Sequence, residues 1–588
     1  MTTQGNKIKL KDLVDITGAL SKIICKSFGP RCRQTLLSTS TGKIMITSDG
    51  FQILRSLNIG HPVAKVIVEA CEKHHSNHGD GVKTFLLYLS TFMQCLVKIS
   101  LDYENLTLKI SRQIPMFIEE TLSNCFKTLA LKSFFLDSNS KSSDILNHFK
   151  SVITTTLSTH FSKTQSQLFS EMIIEAINDH SVDFRDILDL INFYVDYYDL
   201  LHIKCRQSYS KSKIIPGILL RDFTVRPHDT SEKNLKFVIL QNSIEGNTEE
   251  KSDEIIKVSM DTDLDSCFME RIKAAEIFLK KIANNEIRLI FCNQKVPSYV
   301  ISLCNKYKIS VIGNLDDKDI RFLEILTSCP SLSSIYEDIT DVSVGETIYE
   351  RVNYYGKYFI NLTFRNPLVK TFLLCAPTDG LVYELSSLFY KTLKTLQTAL
   401  NGTNNNYPRK LFMREMNPEV EKNGILDSEH LLLENLKVGG NSDQINRLAS
   451  FETNDTSKKI FLISGGGYFE FQMAKLLKES SKNFTNQHSG MICKILSDVL
   501  LCIPEALHTN LCLNIATNKR EYIQKLQTIL CSDENLCLNR RGEIKDCSSS
   551  MPNGCLESLN LKITTLCNVL QLIQQLLRLD MIVGINKT

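Results

Sequence analysis

Gly79-Asp80-Gly81-Val82-Lys83-Thr84 stands directly before an apolar run, Phe85-Leu86-Leu87, that opens a helix reaching to about Ile99. Glycine adopts turns closed to other residues and lets a backbone approach a bulky anion closely. A helix start adds free N–H groups and a partial positive charge, both favourable to phosphate. An aspartate placed there repels phosphate unless a divalent cation lies between them. The combination points to a nucleotide held through magnesium, with Asp80 on the metal. Read blandly, the same residues are a loop with an acidic helix start, and the motif alone does not choose between the two.

Working outward, Leu13 to Phe28 reads as a helix stopped by Gly29-Pro30. Thr35-Leu36-Leu37 and Ile44-Met45-Ile46 flank a Ser/Thr/Gly turn and predict a β-hairpin. Asp49-Gly50 opens a short helix through Leu57, and Pro62 begins another to about Lys73. From Gly217 the texture changes. Phe237 to Leu240, Leu289 to Cys292 and Ile309 to Ile312 are short apolar runs separated by helical stretches, which predicts an α/β region. A polar arm, Glu245 to Ser266, and a Lys/Glu-rich helix to about Ile282 lie between the first two runs. Phe372-Leu373-Leu374 reads as a strand leading through Pro377 to Gly380 into a helix ending at Leu400. Asn401 to about Lys458 is rich in turn formers and reads as a polar insertion. A strand, Phe461 to Ser464, then runs into Gly465-Gly466-Gly467, a second place for close backbone approach. Apolar residues at helical spacing mark a last helix, Leu561 to Arg578, followed by an extended Met581-Ile582-Val583.

Composition excludes several classes. A chain of 588 residues is too long for one core, and length alone suggests about four domains. Hydrophobic residues at 43% and charged residues at 23% are the balance of a globular protein. The net charge of +3 gives no basic footprint for nucleic acid. The 19 cysteines include no Cys-x-x-Cys pair, so reduced, buried thiols are expected rather than a zinc ribbon. Met1 to Lys11 is polar and basic, unlike a signal peptide. No apolar run reads as long enough to span a bilayer. A cytoplasmic protein without membrane insertion is expected.

Four glycine corners, at Gly29-Pro30, Asp49-Gly50, Gly79-Asp80-Gly81 and Gly465-Gly466-Gly467, resemble in order and spacing the nucleotide site of group II chaperonins. Thr47-Ser48-Asp49-Gly50 with His61-Pro62-Val63-Ala64-Lys65 is similar to that family's stem hairpin and following helix. Pro216-Gly217-Ile218, Asn366-Pro367 with Thr371 to Leu374, Ile503 to Leu507 and Leu577 to Asp580 extend the likeness over most of the chain. The implied fold is α+β and multidomain: a helical equatorial domain, a small intermediate domain and an α/β apical domain. The resemblance assigns 1–150 and 459–588 to the equatorial domain and 151–214 and 346–400 to the intermediate domain. It assigns 215–345 to the apical domain with a protrusion at 245–282, and leaves 401–458 as the insertion.

The resemblance also implies roles. Gly29, Pro30, Gly79, Asp80, Gly81, Lys83, Thr84 and Gly465 to Gly467 would bind ATP, Asp80 would hold Mg2+, and Asp49 and Asp80 would serve catalysis. Leu36, Ile44 and Ile46 would pair the hairpin with a neighbouring subunit. Departures from the ring-forming subunits are specific: Val82 and Lys83 stand for threonines, Cys32 for a glycine, and Lys391 for the second catalytic aspartate. A protonated lysine accepts no hydrogen bond from water, so it does not replace that aspartate. Lys391 itself reads as a solvated helix face, and Lys83 as either a phosphate-neutralising cation or a surface lysine. These departures resemble the chaperonin-like proteins of Bardet–Biedl syndrome. They imply an assembly factor for the BBSome coat complex, with other chaperonin subunits as partners, a role in ciliogenesis, and residence at the ciliary base or centrosome. The competing readings are an active ATP-hydrolysing folding subunit and a scaffold without nucleotide.

Overall fold

The computed structural model describes residues 6–29, 32–38, 44–100, 106–136, 142–178, 184–221, 224–225, 234–244, 261–364, 369–400, 460–482, 487–511, 515–532, 534–539, 541–547 and 555–582. Pro30, the arm at 245–260, Asn366-Pro367, the insertion at 401–458 and Val583 lie outside them. The chain divides into two compact units, 1–195 with 387–588, and 196–386.

The larger unit is built on helix Val82–Ser100, whose Phe85, Leu89, Phe92 and Leu96 are fully buried. Helices Leu10–Cys25, Pro62–His78, Leu106–Phe117, Gln487–Leu500 and Leu559–Leu576 surround it and supply Ile24, Ile67, Ile110, Leu496, Leu566, Leu570 and Ile573 to the same core. By length and composition the window Val82–Ile99 is apolar enough to cross a membrane, contrary to the sequence reading. More than half of it, 56%, is buried among these helices, and that burial accounts for its apolar character. Small sheets trim the bundle. Thr35–Ser38 pairs antiparallel with Ile44–Thr47, as the hairpin pattern predicts. Ile460–Ser464 lies between Phe134–Leu136 and Leu556–Ser558. Leu536–Leu538 pairs with Ile544–Asp546. Asn6–Lys7 pairs with Met581–Ile582, a strand match that joins the two ends of the chain.

In the smaller unit, the described residues form a seven-stranded sheet whose adjacent strands Asn234–Leu240, Ile287–Cys292 and Ser310–Ile312 run parallel. These are the three apolar runs of the sequence. Buried on both faces, such strands need continuous rather than alternating hydrophobicity. Gly345–Tyr354, Lys357–Thr363 and Ile218–Arg221 extend the sheet antiparallel on one side, and Thr224–Val225 on the other. Helices Asp261–Asn284 and Ser298–Tyr307 give Phe278, Leu279, Ile282, Val300 and Cys304 to its core. A separate three-stranded sheet has Lys370–Ala376 at its centre, between His202–Arg206 and Lys213–Pro216. From Ser387 onward, helix Asp379–Leu400 belongs to the larger unit.

Candidate functional site

The Gly-Asp-Gly stretch is the turn between helices Pro62–His78 and Val82–Ser100. Gly79 ends the first helix in a left-handed conformation, its N–H donating to His75 O at 2.7 Å. Gly81 has φ +95°, and a Cβ there would stand 2.8 Å from His74 Nε2 and 3.0 Å from Thr565 Oγ1. Both strain and space therefore require glycine. The tight turn lets the Gly81 N–H donate to Asp80 Oδ1 at 2.7 Å.

The same oxygen meets a cation. Lys391 Nζ lies 3.0 Å from Asp80 Oδ1 and 3.6 Å from Asp49 Oδ1. Lys391 is only 5% exposed, which corrects the expectation of a solvated helix face. A buried ammonium is costly unless it is paired, and here two carboxylates from two separate turns compensate it. Asp49 precedes helix Gly50–Arg55 but makes no side-chain cap hydrogen bond, so its carboxylate serves Lys391 rather than the helix start. Burial disfavours charge on all three groups. Lys391 outweighs it and holds the Asp49 and Asp80 carboxyls below the ordinary carboxylate range, while the two carboxylates raise the Lys391 ammonium above its own.

Lys83 Nζ donates to Ser27 O at 2.6 Å, so it is not a solvated surface lysine. Burial first, then repulsion from Lys391, push its pKa down. His160, which no sequence signal marks, sits behind this group with Nδ1 2.5 Å from Ser48 Oγ. Burial, then Lys391 and Lys83, lower its pKa to about 3, so it is neutral. Lys562, equally unmarked, contacts Glu470 Oε1 at 3.0 Å and Glu557 Oε2 at 2.7 Å, and Tyr88 OH also donates to that Glu470 oxygen, at 3.1 Å.

A cavity of about 540 Å³ gathers these elements. Gly29, Asp80, Gly81, Lys83, Thr84, Lys391 and Gly465 to Gly467 all line it, so corners separated by more than 380 residues share one wall system. Gly79 and Asp49 adjoin lining residues without lining it themselves. Part of the triple glycine is structural. Gly466 has φ +70°, accepts from Leu538 N at 3.0 Å, and would place a Cβ 2.0 Å from Leu538 O. The predicted hairpin shows Leu36 62% exposed and Ile46 half-buried, while the Ile44 side chain lies outside the described set.

The cavity volume, the glycine turns and the mixed polar wall fit a nucleotide-sized ligand. The donor set fits a metal poorly. Asp80 Oδ1 and Asp49 Oδ1 already face an ammonium. Among the described residues no group of three or more His, Cys, Asp or Glu side chains is placed to hold a metal ion.

Residues 20–404 match the model of the TCP-1/cpn60 chaperonin family. The chain is 22% identical over 388 residues to thermosome subunit alpha of Archaeoglobus fulgidus, covering 65% of this chain and 68% of that one. It is 22% identical over 442 residues to the human BBSome complex assembly protein BBS10, covering 68% of this chain and 58% of the relative. The mouse protein of the same name gives 22% over 445 residues, with 69% and 60% covered. The chain thus spans less than two thirds of the length of these two relatives. Among solved structures, a group III chaperonin in the open state matches at TM-score 0.65 and 13% identity, covering 98% of both chains. That likeness extends the chaperonin fold over nearly the whole chain.

Proposed function

This chain belongs to the TCP-1/cpn60 chaperonin family, and from that premise we propose a chaperonin-like assembly factor that binds a nucleoside triphosphate and hydrolyses it poorly. Its partners in this reading are other chaperonin subunits and, as clients, subunits of the BBSome. The names of the BBS10 relatives support the client, and ciliogenesis and a place at the ciliary base follow from it. The three-domain division given by the resemblance belongs to the same proposal.

The observation that carries the reading is the buried Lys391 between Asp80 and Asp49. Phosphoanhydride hydrolysis depends on a positioned water and on charge compensation. With Lys391 on Asp49, neither group is free to orient that water. Loss of one such contact lowers a rate by a factor of about 10² to 10⁴. Meanwhile the glycine turns that would cradle phosphate are intact. The alternative, an active folding enzyme, has the two retained aspartates in its favour.

Purified protein tests this in two steps. ATP at about a hundredfold excess over its Kd should add about 2.7 kcal/mol of stability, visible as a rise in Tm. Steady-state turnover should fall about a hundredfold or more below that of an active thermosome assayed in parallel. A turnover equal to the thermosome's, abolished by Asp80→Ala, would establish the alternative. Absence of any nucleotide-induced shift would favour the plain scaffold.

A further inference from the structure

We propose that Lys391 is a built-in counter-ion that lets this cavity hold a nucleoside polyphosphate without a divalent cation. The inference deepens the nucleotide reading above and rests on it.

The argument starts from who occupies the space between the two aspartates. A dication bridging Asp80 to a phosphate needs a carboxylate oxygen turned to the cavity. Asp80 exposes 40% of its side chain, and the cavity is what it faces. Yet its Oδ1 already takes a hydrogen bond from the Gly81 N–H and lies 3.0 Å from the Lys391 ammonium. A dication held by the Asp80 carboxylate, through either oxygen, would stand close to the Lys391 ammonium, and like charges at such distances repel. Displacing the ammonium is no easier. Lys391 is 5% exposed, and moving it aside would leave Asp49, also 5% exposed, as a buried charge without its partner.

The second part concerns the bare polyphosphate. In a motif with unpaired aspartates, the acidic wall rejects a triphosphate unless a metal intervenes. Here both carboxylates face the Lys391 ammonium, and the described cavity lining holds five Lys or Arg side chains, Lys83 among them, against four Asp or Glu. The wall therefore presents no surplus negative charge to the ligand. An ammonium offers three donors and no acceptor, which suits phosphate oxygens. Because the charge belongs to the chain, it is present whether or not magnesium is.

The test compares equilibrium ATP binding to the wild-type chain in EDTA and in millimolar MgCl2 by isothermal titration calorimetry. The expected Kd in EDTA is equal to or lower than that with magnesium. A Kd raised about tenfold or more in EDTA, equivalent to about 1.4 kcal/mol, would overturn the inference while leaving the nucleotide reading intact. No binding in either buffer would sink both. Lys391→Asp supplies the converse. With its fold checked by circular dichroism, it should lose about tenfold or more in EDTA and regain affinity with magnesium. Continued tight binding by folded Lys391→Asp in EDTA would contradict the role assigned to Lys391. If that variant does not fold, the wild-type comparison decides alone.

Discussion

Lys391 and Asp49 are each 5% exposed, and neither would be stable there alone. Replacing Lys391 by Met keeps much of the volume but strands the carboxylates. We expect a loss of about 3–5 kcal/mol, read by urea unfolding at neutral pH. Asp49 then loses the main cation that holds its pKa down. A depressed carboxyl gives stability that is present above the unfolded pKa and lost as pH falls through the folded one. In Lys391→Met burial is left to raise the Asp49 carboxyl instead, so protonation relieves the stranded charge and the deficit relative to the wild type should shrink as pH falls. Histidines set a second window. Burial lowers His74 and His160 to about 3 and His78 to about 4. Their folded pKa values lie below 6.5, so stability is complete above about pH 6.5 and falls as pH drops toward 4. Each contributes up to about 1.4 kcal/mol per pH unit, measurable as a falling urea midpoint. The identity of Lys391 was legible by resemblance, but its burial was not. A lysine between Tyr390 and Thr392 carries no local sign of two carboxylates brought from sequence positions more than 300 residues away.

At the scale of elements, glycine separates two kinds of turn. Gly466 packs onto Leu538 at positive φ, and Gly466→Ala should cost about 1–3 kcal/mol or more while also reducing the ATP-induced Tm shift. Gly18 lies within helix Leu10–Cys25, where a Cβ meets nothing within 4 Å. Gly18→Ala should instead add about 0.5–1 kcal/mol, seen in the same urea series. The hairpin Thr35–Ser38/Ile44–Thr47 forms its own two-stranded sheet among the described residues, with Leu36 outward. A pair of strands is marginal alone. Leu36→Ser should leave the Tm nearly unchanged and reduce co-purification of chaperonin subunits. Long periodic elements were readable because burial imposes their pattern: helix Leu559–Leu576 and the three parallel strands are examples. Phe134–Leu136 and Asn6–Lys7 were not, because a two- or three-residue strand is defined by its partner rather than by its own sequence. Helix Pro62–His78 outran the expected end at Lys73 because Gly79, not the preceding polar run, terminates it.

For the whole molecule, the informative fact is that one cavity collects Gly29, Gly81, Lys391 and Gly465 to Gly467 from four separate stretches of the chain. The pairing of Asn6–Lys7 with Met581–Ile582 and the shared helical core show how the larger unit is assembled from the two stretches that flank 196–386 in sequence. That gathering was legible only through resemblance, since no spacing rule connects residue 80 to residue 465. The assembly role predicts that affinity purification from ciliated cells recovers chaperonin and BBSome subunits together, and that depletion impairs cilia. Intact cilia and intact coat assembly after depletion would count against it. The most direct test of the central claim is a single-turnover assay with ATP labelled at the γ-phosphate, excess protein, and magnesium present. The account predicts that label is retained by the protein and recovered as intact ATP over the time in which an active thermosome releases phosphate. Phosphate release at the thermosome's rate, or failure to retain label at all, would contradict it.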